Sequence, residues 1–62
     1  MEKYVEFEKN VLKWVQIGLL TKCEAVTKVQ GYLKAMVDFG ILPEDRYSDE
    51  LRTTTKKVLE II

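Results

Sequence analysis

Val15-Gln16-Ile17-Gly18-Leu19-Leu20-Thr21 returns 22 residues later as Val37-Asp38-Phe39-Gly40-Ile41-Leu42-Pro43, and this pair of junctions divides the chain into three helical segments. In each copy a glycine follows an apolar helical pattern, two aliphatic residues cross over, and a helix-starting residue comes next. Glycine ends a helix well because it adopts the left-handed conformation after the last turn without a Cβ clash. Thr21 opens Thr21-Lys22-Cys23-Glu24, the spacing of a reciprocal capping box between the threonine hydroxyl, the glutamate and two backbone amides. Pro43 suits the first turn of a helix, where its missing N–H costs nothing. Two copies are too few for a solenoid, so the junctions read as two helix-to-helix connections of one common design.

Working back from the first junction, Tyr4, Val5, Phe7, Val11, Leu12, Trp14 and Val15 recur at helical spacing and predict a helix over residues 3–17. Its apolar positions spread beyond a single stripe, so it contacts more than one neighbour, either as the central helix of a monomer or with one edge in a dimer seam. Between the junctions, Ala25, Val26, Val29, Tyr32, Leu33, Met36 and Val37 predict a second helix over 22–39. Gly31 lies inside it, where glycine costs roughly 1 kcal/mol against alanine, and marks a close helix crossing or a kink. Beyond Pro43, a short turn is expected at 43–47. Ser48, Asp49 and Glu50 then look like a cap and acidic first turn for a third helix over 49–61, with Leu51, Val58, Ile61 or Ile62, and Thr54 or Thr55 on a thinner apolar stripe. The expected architecture is all-α, a three-helix bundle forming a single small domain over residues 1–62, with no strands.

Sixty-two residues give one core of marginal size, because a chain this short buries only about 60% of the surface its unfolded form exposes. Association with a second copy or another protein is therefore expected. Ten basic residues balance ten acidic ones, which removes the net positive field of a general nucleic-acid binder. Histidine is absent and Cys23 stands alone, so neither an internal disulfide nor a Cys/His metal site is available; no cofactor and no small-molecule substrate are expected. Cys23 itself reads as structural, and pairs such as Glu6 with Glu8 or Asp45 with Asp49 read as solvated surface acids. The charged, interrupted N-terminal stretch has no secretory h-region, and no run approaches the roughly 20 apolar residues of a membrane span. A cytoplasmic location with no membrane contact is the corresponding expectation.

Two functional expectations follow. The leading one is a small non-enzymatic module or regulator that lays an apolar helical face on a protein partner or on itself, as a homodimer, with Tyr4, Phe7, Trp14, Tyr32 and Phe39 as candidate interface residues. The alternative is a helix-turn-helix-like DNA-binding regulator presenting its third helix, with Arg46, Arg52, Lys56 and Lys57 as candidate contacts. Nucleic acid is the weaker expectation, because Asp45, Asp49, Glu50 and Glu60 flank that cluster and acidic residues occupy the N-terminal turns that usually meet DNA.

Overall fold

The computed structural model describes residues 2–61 and shows an all-α three-helix bundle. Helix α1 is Glu2–Gln16 and α2 is Lys22–Asp38; a 3-10 turn over Glu44–Arg46 leads directly into α3, Tyr47–Leu59. No strand occurs among the described residues.

The repeated junction folds the same way twice. Gly18 and Gly40 have φ of 82° and 74°, the left-handed values the sequence calls for. The amide of Gly18 donates to Val15 and that of Leu19 to Trp14; the amide of Gly40 donates to Val37 and that of Ile41 to Met36. These two bonds define the Schellman ending, which satisfies carbonyls that the end of a helix would otherwise leave bare. At the start of α2, Thr21 Oγ1 accepts from the Glu24 amide at 3.1 Å while Glu24 Oε1 accepts from the Thr21 amide at 3.0 Å. The capping box is complete.

Packing follows the periodicity. Helix α2 contributes Ala25, Val29, Leu33 and Met36 to the buried core; α1 adds Tyr4 and Val11, α3 adds Val58, and the second junction adds Leu42. The central element is therefore α2, not α1. Helices α2 and α3 pack most closely, and α1 lies across both through Tyr4, Phe7 and Glu8. The breadth of the apolar pattern on α1 reflects these two neighbours, with Phe7, Leu12, Trp14 and Val15 packed against the core at partial exposure.

Three local expectations are corrected. Pro43 lies outside the helical turns, with φ −60° and ψ 139°, and precedes the 3-10 turn instead of occupying its first position. Ser48 is not a cap: the 3-10 turn passes into α3 with Arg46 and Tyr47 already in right-handed geometry, so the helix begins at Tyr47 and Ser48 lies inside it. Gly31 is exposed and a Cβ there would meet nothing within 4 Å, so it marks no close crossing in this fold. On the α3 stripe the buried hydroxyl is that of Thr54, with Thr55 half-buried; Ile61 is half-buried, and Ile62 lies outside the described residues.

Candidate interaction surface

The candidate aromatic residues divide by environment. Tyr4 is 3% exposed and belongs to the core. Phe7 and Tyr32 are half-buried and stacked on each other, ring centroids 4.1 Å apart and planes 15° apart, with Tyr4 5.8 Å from Tyr32. These rings join α1 to α2, so much of their apolar area is already used. Trp14 is half-buried against the core. Phe39 is different: it is 81% exposed.

Phe39 is accompanied by other exposed apolar side chains, and the Schellman geometry explains why. In each junction the residue before the glycine and the residue after it point outward, while the next one turns in. Ile17 and Leu19 are exposed and Leu20 packs on the core; Phe39 and Ile41 are exposed and Leu42 is buried. The two pairs lie at opposite ends of α2, about 25 Å apart for 17 helical residues. Leu59, at the C-terminal end of α3, is also exposed. It lies at the end holding the first junction, because Lys22 Nζ donates to the Leu59 carbonyl at 3.3 Å. Isolated exposed aliphatic residues are ordinary; a mostly exposed phenylalanine beside an exposed isoleucine on a 62-residue chain is less so.

One side of α3 is a shallow groove. Leu51, Thr55 and Leu59 line it with Ser48, Arg52 and Lys56, all of them on α3, and a second depression that shares Ser48 lies beside it between α2 and α3, lined by Tyr47, Val37, Asp38 and Glu44. At about 100° per residue, Thr54 and Lys57, which hold α1, lie on the opposite side of α3 from Arg52 and Thr55. The groove is the side of the α2–α3 pair that α1 leaves uncovered.

The candidate nucleic-acid contacts are mostly engaged within the chain. Arg46 pairs with Glu50 at 3.3 Å, Arg52 with Asp49 at 3.1 Å and Lys57 with Glu8 at 2.9 Å. Lys56 makes no ion pair among the described residues. The first two pairs are exposed and weak, so they do not immobilise the arginines, but they place a carboxylate beside each cation that would face phosphate.

Glu8 is not the solvated surface acid that the sequence suggests: its side chain is 13% exposed and ties α1 to α3. Its Oε2 accepts from Thr54 Oγ1 at 2.7 Å and its Oε1 from Lys57 Nζ at 2.9 Å, while Tyr4 and Thr54 hydrogen-bond through their hydroxyls. A carboxylate only accepts, so the Thr54 hydrogen is directed to Glu8 and Tyr4 must donate to Thr54. Partial burial pushes the Glu8 pKa up, but the hydrogen bonds from Lys57 and Thr54 and the lysine charge outweigh it, leaving the carboxyl below its ordinary value. Burial raises the Tyr4 pKa, opposed by the Thr54 hydrogen bond and reinforced by the charges of Glu8 and Glu50. The available signal was a threonine on the apolar stripe between Leu51 and Val58, which needs a partner when buried. This network is structural: it ties α1 to α3 and no described buried side-chain polar atom is left unpaired.

Cys23 is exposed at the start of α2, and among the described residues no three His, Cys, Asp or Glu side chains are grouped to hold a metal. No described helix is long and apolar enough to cross a membrane. No family model, curated protein or solved structure matches the chain.

Proposed function

We propose that this protein is a non-enzymatic interaction module that acts by covering an exposed apolar helical surface with a protein partner. The observation that carries this reading is the outward placement of Phe39, with Ile41 beside it and Leu59 at the other end of the α2–α3 pair. Phe39 is 81% exposed and stands outside the core of the described residues, and its burial by a partner would remove apolar area worth roughly 25 cal/mol per Å² from water. Aromatic side chains of this kind are frequent anchors of binding energy. The two junctions that display the apolar pairs are held by glycine and four backbone hydrogen bonds, so the surface is presented on a fixed frame and little ordering entropy opposes binding.

The test is affinity capture with the wild-type chain and with Phe39→Ser and Leu59→Ser, after circular dichroism confirms that both variants fold. A protein retained by the wild type, whether a second copy or a different chain, and lost by the variants supports the module. Identical binding and identical solution mass for all three would remove the reading.

A further inference from the structure

The zero net charge of the chain conceals an uneven distribution. Around the second junction and the start of α3 stand Asp38, Glu44 and Asp45, none of them in an ion pair among the described residues, with Lys34 on α2 and Arg46, paired with Glu50, as the nearby cations. At the other end of the helices stand Lys13, Lys22 and Lys56, likewise without ion pairs, against Glu24, which is turned back into its cap, and Glu60. Each end also carries exposed apolar residues: Phe39 and Ile41 at the acidic end, Ile17, Leu19 and Leu59 at the basic end. A molecule built this way is complementary to an inverted copy of itself.

Size decides between the two inverted arrangements. The backbone extends 33 × 18 × 16 Å. On these extents an end face is about half as large as a long face, so side-by-side pairing comes nearer the ~800 Å² per partner that a stable interface buries. Side-by-side pairing also makes both end contacts at once, which end-to-end stacking does not. The long face with apolar character and no cover is the groove of the α2–α3 pair.

We infer that this groove is the seam of an antiparallel, two-fold homodimer, resting on the interaction-module reading and naming a second copy as its partner. The two-fold turns the end carrying Lys56 and Leu59 of one copy toward the end carrying Asp38, Glu44, Val37 and Tyr47 of the other, and repeats the contact at the opposite end. The minority charges, Lys34 and Glu60, come to the same ends and also oppose each other in sign. Leu51 and Thr55 lie near the middle, where each copy meets its own equivalent. Opposite charges at both ends fix the antiparallel sense, since the parallel pairing sets acid against acid and lysine against lysine.

The test is the solution mass of the full chain by light scattering, at low and high salt and across a hundredfold dilution, for the wild type, Lys56→Glu, Asp38→Lys and an equimolar mixture of the two variants. Both positions are exposed and make no ion pair among the described residues, so the variants keep the fold, as circular dichroism will confirm. A dimer of the 7.3 kDa chain is expected at low salt, weakened by added salt. Each single swap should weaken it about tenfold or more, because it places like charges together at both ends, and the mixture should recover dimer, because both contacts in the mixed pair are again opposite in sign. A wild-type monomer at every concentration overturns the homodimer. A dimer indifferent to both swaps, or not recovered in the mixture, overturns this seam. Neither result touches the module reading, which falls only if Phe39→Ser and Leu59→Ser also change no binding.

Discussion

The Tyr4 phenol donates to the Thr54 hydroxyl across fifty positions of sequence, and Thr54 passes its own hydrogen to Glu8 one helical turn beyond Tyr4. The buried hydroxyl of α3 is thus satisfied by two residues of α1 at i and i+4, and the two helices are held in one rotational register. Removing the centre of such a chain leaves the buried Tyr4 hydroxyl without its acceptor and Glu8 with only its Lys57 donor, which costs more than the bond itself.

Thr54→Val should therefore destabilise the fold by about 1–3 kcal/mol, since it deprives the buried Tyr4 hydroxyl of its acceptor and Glu8 of a donor. Tyr4→Phe should cost less, and the double variant should be less destabilised than the sum of the two. Urea denaturation of the four proteins closes the cycle. Additive losses would show that the two hydroxyls do not act together.

The depressed pKa of Glu8 sets a direction for acid sensitivity. A carboxyl whose pKa is lower in the folded than in the unfolded state contributes stability that is fully present above the unfolded value, near 4.5, and is lost as pH falls through the folded value. Glu8→Gln should thus be less stable than the wild type at neutral pH, with the gap closing as pH falls below the unfolded value near 4.5 and on through the lower folded value. Denaturation midpoints of both proteins along that range check it. A gap that stays constant would mean that the Glu8 charge plays no part and only its shape matters.

The glycines separate by backbone geometry. Gly18 and Gly40 have positive φ with open space around them, so alanine at either meets no clash and suffers only the left-handed penalty, a loss of about 1–2 kcal/mol. Gly31 lies in regular, exposed helix with equally open space, so Gly31→Ala should gain about 0.5–1 kcal/mol by reducing the freedom of the unfolded chain. Thermal midpoints of the three alanine variants should move in opposite directions. A loss at Gly31 would mean that another chain packs there.

The helices, their order and their stops were legible because each rests on local chemistry: the 3.6-residue recurrence of Ala25, Val29, Leu33 and Met36, the Thr21–Glu24 box, and the glycines of the two junctions. The start of α3 was not, because Ser48 carries a capping residue's chemistry but the chain had already turned helical at Glu44, so no extended residue remained there to cap. The surface was partly legible. Five aromatic residues fit an interface by composition, yet their separation into Tyr4 inside, Phe7 stacked on Tyr32, and Phe39 outside depends on how α1 crosses α2, which no local spacing encodes. The pairing of Glu8 with Lys57 joins residues 49 positions apart and is equally long-range.

That separation makes Tyr32 and Phe39 unequal as probes. Tyr32 is half-buried and stacks on Phe7, so Tyr32→Ala opens the contact between α1 and α2 and should cost about 2–3 kcal/mol even in an isolated chain. Phe39 follows the last turn of α2 with its side chain in water, and its backbone amide donates to the Ala35 carbonyl whatever the side chain. Phe39→Ser should leave the urea midpoint within about 0.5 kcal/mol of the wild type at dilutions where the chain is unassociated, and should lower it only at concentrations where association adds to stability. A concentration-dependent difference for Phe39→Ser beside a concentration-independent loss for Tyr32→Ala is the signature of one residue that binds and one that folds. A Phe39→Ser variant destabilised equally at every concentration would place that ring in the fold of its own chain and leave Ile17, Leu19, Ile41 and Leu59 as the exposed apolar residues at the helix ends.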